Sequence, residues 1–377
     1  MLTVIIFILV LSVLVIIHEL GHFLLAKKHG IAVHEFGLGY PPRLLTLFHW
    51  RGTKFSLNAI PFGGFVQMKG EDDHVEEMTV DFDRGNQDAF YQKSIGARMQ
   101  VTLAGIAFNL IFAILAFAGI FSNLGIPQPL HDQVRISQVS PDSPAAAAGL
   151  QAQTNLLAFY SNEQWVEINS IQQAQEFVRA HLGETVRVRI SAPCVELSCP
   201  LAFTEHELYL RQAADIPEGQ GAMGVAFQEV LFIKYPWYQM LPYSIYYGFE
   251  QSLSLALLIL QTLGQLFTDL LSGQQMAAPV AGPIGIVDQV QRYGLFDGGF
   301  WSILNFAALL SVNLAIMNLL PIPALDGGRA VLLIAEKFVR RKRIDKVARY
   351  LNYFGYVFLL SLMVLVSIND IRNIFIR

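Results

Sequence analysis

Five consecutive residues, His18-Glu19-Leu20-Gly21-His22, constrain this chain most, because they stand inside an apolar run covering residues 4–26. Crossing a hydrocarbon core about 30 Å thick takes about 20 apolar helical residues, so the run is long enough to span a bilayer. Ionisable groups in such a helix cost a few kcal/mol each, and three together need a partner that satisfies them all. Helical spacing of i and i+4 puts both imidazoles on one face, as a shared zinc ion requires. Glu19 is then within reach of a water at that ion as general base. A chance match in a chain this long is expected on the order of one time in a hundred. The competing reading is a hydrogen-bonded polar cluster between helices.

Composition agrees with a bilayer protein. Hydrophobic residues make up 53% of the 377 and charged residues 15%, where a soluble domain carries about 25% charged. A net charge of −4 offers no polycationic surface for phosphate backbones, which argues against a nucleic-acid partner. Four stretches are long and apolar enough to span: 4–26, 101–121, 303–320 and 351–368. A fifth, 243–271, is apolar but carries Glu250, Asp269 and three glutamines. The first stretch is not expected to be a signal peptide, since it lacks a basic leading region and holds three ionisable side chains.

Loop charge sets the expected orientation. Nine Lys and Arg lie in 27–98 and eight in 329–349, against six in the longer stretch 125–243. The excess of positive charge on cytoplasmic loops places 27–98 and 329–350 inside and 125–243 outside, with the N-terminus outside. No Lys or Arg lies between Lys234 and Arg292. Were 243–271 to span, Asp326 would face the side opposite His18 and His22. The segment therefore reads as an amphipathic, membrane-associated helix, with a fifth span as the alternative.

Residues 127–212 leave the apolar pattern and read as a small α+β domain outside the cytoplasm. Runs 133–139, 185–191 and 196–203 are β-like, and 171–182 is helical. Ser143-Pro-Ala-Ala-Ala-Ala-Gly-Leu150 is similar to the start of a PDZ-domain helix and its turn. PDZ domains bind peptides by strand addition. The Gly-Asp expected after that run is replaced by Ala152-Gln-Thr-Asn155, and a structural spacer is the other reading. Cys194 and Cys199 could form a disulfide in an oxidising compartment or remain two inert thiols. The expected organisation is 1–126 as an N-terminal membrane half, 127–212 as the insert, 213–300 as a linker with the amphipathic helix, and 301–377 as a C-terminal membrane half.

A catalytic zinc takes three protein ligands and keeps one position open. His29, His34 and His49 follow the first span, and His131, His181 and His206 fall on the other side of the membrane. Asp326, in Asn318-Leu-Leu-Pro-Ile-Pro-Ala-Leu-Asp-Gly-Gly-Arg329, ends the third span on the same side as the histidines. Two prolines break the helix there and two glycines permit a tight turn. A capping aspartate at a membrane boundary is the plainer alternative.

These features together resemble the site-2 proteases, and among them the RseP-type bacterial members. The resemblance runs through the histidine motif, Leu325-Asp-Gly327, the insert, Phe36-Gly-Leu-Gly39, Ile60-Pro-Phe-Gly-Gly-Phe-Val66 and Ser311-Val-Asn-Leu-Ala-Ile-Met-Asn318. It implies an α-helical membrane protein of four transmembrane helices, with a membrane-associated β-hairpin and one extracytoplasmic PDZ-like α+β domain. The implied activity is a zinc metalloendopeptidase of the inner membrane. His18, His22 and Asp326 would bind Zn2+, and Glu19 would be the base. Asn318, Asn313, Asn109, Gly63, Gly64 and Phe65 would contact substrate. Expected substrates are single-pass membrane proteins already shortened outside, such as anti-sigma factors or signal-peptide remnants. Where the RseP type carries tandem PDZ domains this chain has room for one, and the family's Ala-Gly-Pro appears as Ala104-Gly-Ile106.

Residues 55–69 alternate as a hairpin strand would, and exposed strand edges offer unpaired backbone groups. Such a strand would pair with a locally unwound substrate helix, so helix-breaking residues near the cut should favour cleavage. A purely structural hairpin is the alternative. A zinc-binding scaffold would not need Glu19 and would favour four closed ligands. A transporter would carry internal repeats, which the chain lacks.

Overall fold

The computed structural model describes residues 2–71, 87–130, 133–161, 163–192, 202–217, 220–228, 230–272, 282–339 and 341–376. In chain order the elements are α1 (Leu2–Lys28), β1 (Val33–Trp50), β2 (Thr53–Met68), α2 (Ile95–Leu124), β3 (Ile126–Pro129), β4 (Val134–Val139), α3 (Pro144–Ala147), β5 (Thr154–Ser161), β6 (Gln164–Glu167), α4 (Ile171–Ala180), β7 (Thr185–Ser191), β8 (Phe203–Tyr209), β9 (Val225–Gln228), β10 (Val230–Ile233), α5 (Trp237–Ser272), α6 (Pro283–Arg292), α7 (Phe300–Leu319), α8 (Asp326–Ala335) and α9 (Arg341–Ile376). They form two compact units, Met1–Asn123 with Leu241–Arg377, and Leu124–Met240.

In the first unit four helices are long and apolar enough to cross a membrane: Leu2–Lys28, Ile95–Leu124, Phe300–Leu319 and, within α9, Val347–Ile374. Large apolar side chains on them, such as Ile5, Leu9, Leu115 and Leu365, are exposed. Hydrocarbon is the surrounding that suits them, and the chain is a membrane protein. The segment 243–271 lies within one continuous helix, α5, which contains Pro242.

Helix α1 stops where the chain can turn. The Gly30 amide donates to the Lys27 carbonyl and the Ile31 amide to the Ala26 carbonyl, with Gly30 at φ 65°. This is a Schellman motif, and a side chain at the Gly30 position would strain it. Ile31 is then buried with Phe23, Ala26, Val33, Phe36, Val66, Met68 and Val101, fastening the β-hairpin to the lower half of α1.

The hairpin is more folded than strand alternation alone implies. β2 residues 54–57 pair on one side with 35–38 and on the other with 45–49, so β1 doubles back. Residues 64–68 pair with 33–38 and, among the described residues, with no second strand. The spatial order is therefore 43–50, 53–58, 33–38, 64–68, leaving 64–68 at an edge. Glu35, buried in the sheet, accepts hydrogen bonds from Ser56 (2.6 Å) and from the Arg43 guanidinium through two nitrogens. Burial pushes its carboxyl upward, but the Ser56 and Arg43 bonds outweigh that and hold it below the usual carboxylate range. Phe55 stacks on Phe48 with ring centroids 4.5 Å apart and on Phe36 at 5.3 Å, closing the layer from both sides.

The second unit holds a six-stranded antiparallel sheet in the order β8-β7-β5-β4-β9, with β6 also paired to β5, and a separate pair β10-β3. Val134, Ile136, Val186, Val188 and Ile190 alternate along their strands into one core with Leu156, Phe159 and Leu208. α4 covers it with Ala174 and Phe177, whose ring stacks on Phe159 at 4.4 Å. Ser143 and Ser170 cap α3 and α4, each side chain accepting from an amide three residues on. Cys194, Cys199, His131 and most of the run 196–203 lie outside the described residues.

The hairpin pair is asymmetric, because Arg43 is 43% exposed at its side chain and Glu35 only 8%. Arg43→Met strands a buried carboxylate and should destabilise the hairpin by about 3 kcal/mol. Glu35→Gln leaves a cation that water can reach and should cost about 1 kcal/mol. Limited proteolysis of detergent-solubilised protein around residues 39–52 reads the difference as a rate of cutting.

Candidate active site

The site is assembled where α1 crosses α2. A Cβ built on Gly21 would lie 2.5 Å from the Ala104 carbonyl oxygen, so the two helices touch backbone to backbone. Small residues at such a crossing let membrane helices approach closely. The next small residue along α2 has a different use. A Cβ on Gly105 would lie 2.5 Å from His22 Nε2 and 2.6–2.7 Å from His18 Cε1 and Nε2, so Gly105 keeps open the space both imidazoles occupy.

Asp326 arrives from the other end of the unit's sequence. α7 ends at Leu319, Pro321 and Pro323 prevent its continuation, and α8 begins at Asp326 itself. Cβ atoms on Gly327 and Gly328 would fall on the carbonyl oxygens of Leu319, Leu320 and Ile322, so the first turn of α8 rests directly on the end of α7. α9 closes the loop from outside: the Ala324 amide donates to Asn352 Oδ1 at 3.3 Å, and Gly355 lies against the Pro323 carbonyl. At the far end of α8, Glu336 receives two hydrogen bonds from Arg98 of α2, at 2.7 and 2.8 Å, both side chains being largely buried. The helix that begins with Asp326 is thus tied at both ends.

The geometry fits a metal ion. His18 Nε2 lies 3.2 Å from His22 Nε2, and Asp326 Oδ2 lies 3.0 and 3.3 Å from them. Zn–N and Zn–O bonds of about 2.0–2.2 Å in a tetrahedral site put ligand atoms about 3.3 Å apart. Asp326 Oδ2 is buried and makes no hydrogen bond despite those two nitrogens, as an oxygen aimed at a cation would. His22 Nδ1 faces the Val101 carbonyl at 2.8 Å, an acceptor of the kind that fixes a ligating imidazole. Among the described residues these three form the group able to hold a metal.

The three open onto a cavity of about 400 Å³. Glu19, Asn109, Asn318, Gly63, Gly64 and Phe65 line it, as do Tyr40, Thr102, Glu71 and Arg329. Asn313 is exposed and lies outside that lining. A Cβ on Gly64 would lie 3.2 Å from Glu19 Cγ, so the edge strand 64–68 runs directly beside the carboxylate. Arg329 pairs with Glu71, joining α8 to the residues just after β2. The sequence reading missed Tyr40, Glu71, Arg329 and the role of Gly105. Only Arg329 and Gly105 stood within motifs already singled out.

A model of peptidase family M50 matches residues 6–362. A Campylobacter jejuni protein named as a zinc metalloprotease is 31% identical over 97% of this chain and 92% of its own length. The Geobacillus kaustophilus zinc metalloprotease RasP is 28% identical, covering 98% of each chain. A Clostridium acetobutylicum protein, again named as a zinc metalloprotease, is 28% identical over 98% of this chain and 97% of its own.

The role of Gly105 can be measured. Gly105→Ala puts a methyl group where the imidazoles lie, and purified protein should then carry far less than one zinc per chain by atomic absorption. Full zinc content in that variant would mean the imidazoles stand elsewhere. The chain belongs to peptidase family M50, the site-2 protease family, and is a zinc metalloprotease.

Proposed function

We propose that this protein cleaves transmembrane segments of single-pass membrane proteins inside the bilayer, with His18, His22 and Asp326 as zinc ligands and Glu19 as general base. One observation carries the reading. The cavity holding these four side chains is built between helices long and apolar enough to cross a membrane and has the strand edge 64–68 along its wall.

Bound zinc supplies Lewis acidity, polarising a carbonyl and lowering the pKa of water towards about 7. The rest of the chemistry belongs to the chain's own residues. Residues 64–68 offer backbone donors and acceptors to an unwound substrate segment, which exposes carbonyls that a helix keeps engaged. Glu19, beside Gly64, takes a proton from water and delivers it to the leaving nitrogen. Asn318 and Asn109 line the cavity with amide groups able to hold the substrate backbone. Exposed Leu44, Leu45, Leu47, Phe48 and Trp50 suit a hairpin that dips into the membrane.

The proposed setting is a bacterial inner membrane, with the N-terminus and the unit around 127–212 periplasmic and the site near the cytoplasmic face. Charge counts in the loops support that orientation. The proposed substrates are anti-sigma factors or signal-peptide remnants already shortened outside. A PDZ-like role for the insert draws support from its sheet, which ends on the short edge strand β9 and shares its core with α4. In this reading the insert excludes intact ectodomains.

Coexpression with a tagged single-pass substrate lacking its ectodomain, in cells without their own site-2 protease, tests the activity. Wild type should cleave, and Glu19→Gln at matched expression should be slower by at least about 100-fold, the scale of a lost general base. Equal cleavage by both would remove Glu19 from the mechanism. Deleting residues 127–212 should let a substrate with its ectodomain intact be cut, and unchanged selectivity would sink the size-filter role.

A further inference from the structure

We infer that Asn109 is a positioning residue for the metal ligand His18, its side-chain oxygen accepting the Nδ1–H of that imidazole. This rests on the zinc-site reading above and goes beyond it, since that reading places Asn109 only at the substrate.

The two histidines are served unequally. Each turns Nε2 toward Asp326 and therefore needs something at Nδ1. An imidazole that gives its Nε2 lone pair to a metal carries its proton on Nδ1, and ligating histidines almost always donate that proton to an oxygen acceptor. His22 has its acceptor in the Val101 carbonyl, nearly two turns into α2. For His18 the neighbour at Nδ1 is the Asn109 side-chain amide, at 3.3 Å, two turns further along the same helix. α2 thus supplies both acceptors, one from backbone and one from a side chain, while Gly105 between them leaves room for the rings.

The amide is buried completely, and this decides which of its ends is used. As placed, Nδ2 faces His18 while Oδ1 is buried without a hydrogen-bond partner. An amide nitrogen cannot accept a proton, so that placement suits only the tautomer in which Nδ1 is bare and Nε2 carries hydrogen. Such a tautomer cannot ligate through Nε2. Half a turn about the Cβ–Cγ bond exchanges the two nearly isosteric ends of the amide and presents the unserved oxygen to Nδ1–H. The backbone beneath is pinned, because the Asn109 carbonyl accepts from the buried Ser311 hydroxyl of α7 at 2.8 Å. Asn109 therefore reaches His18 from a fixed point, with one side-chain rotation left to adjust.

The two roles for Asn109 separate cleanly in a metal-binding measurement. The full-length protein in detergent is stripped with chelator and titrated with zinc ion against a competing indicator. Wild type, Asn109→Asp and Asn109→Leu are compared, and cleavage KM is read alongside. Asn109→Leu should bind zinc 10- to 100-fold more weakly, the usual loss when a ligand's outer partner is removed. Asn109→Asp keeps the acceptor and should stay within a few-fold of wild type. Equal melting temperatures of the three metal-free proteins would show that the loss is not unfolding. Unchanged zinc affinity in Asn109→Leu with a raised KM would overturn the inference in favour of substrate contact. Loss in both variants would overturn the acceptor role in favour of simple packing. Wild type that binds no zinc would sink the metal-site reading itself, a result distinguishable from either.

Discussion

Two imidazoles and two carboxylates are expensive groups to hold among apolar helices, and the first unit is arranged around that expense. Water satisfies such groups outside the membrane. Inside it, each polar atom must find a partner in the protein or at a bound ion. Asp326 Oδ2 has no hydrogen bond, and the two nitrogens nearest it would repel it if both were unprotonated. A cation at the common point turns three mutually unfavourable atoms into one stable group. The close crossing at Gly21 and Ala104, and the missing side chain at Gly105, follow from the need to bring α2 against that point.

Stiffness is then delivered from unequal sources. α2 acts through short contacts at Val101 and Gly105, close to the histidines. α8 is held at its first residue by the end of α7 and at its last turn by the Arg98–Glu336 pair. A buried ion pair is weak evidence of net stability, since desolvation consumes much of the attraction. Its value here is geometric: two parallel hydrogen bonds fix the distance and angle between α2 and α8. Since α2 also touches both histidines, the pair sets Asp326 in register with them.

Much of this was legible in the sequence, and what was not has physical reasons. His18 and His22 are readable because i and i+4 share a helical face, and Glu19 because its place between them puts it on the same cavity. Helix α4 and strand β7 follow from apolar periodicity. Asp326 is 304 residues beyond His22, and no local spacing can report a contact that only folding creates. Only the parity of membrane crossings pointed to its side. The Val101 carbonyl left no trace, because every residue carries one. The doubling of β1 was hidden for another reason: alternation gives the faces of a strand but not how many neighbours it has. The bond from Arg43 back to Glu35 spans the stretch where the register of β1 jumps, between Tyr40 and Arg43, and no local pattern reports it.

The edge strand connects this scaffold to the chemistry. β1 and β2 both double back, so residues 64–68 lie at one margin of the sheet and 43–50 at the other. Of these two margins, 64–68 is the one whose residues line the cavity. Folded as it is, the sheet buries Glu35 and Ser56 in its middle and turns one edge toward the cavity. Gly64 sits close against α1: a Cβ there would lie 3.2 Å from Glu19 Cγ and 3.3 Å from Val15 Cγ1, so both side chains would have to give way. The absence of that side chain lets the strand and Glu19 lie side by side. A peptide added to this edge would run past Glu19.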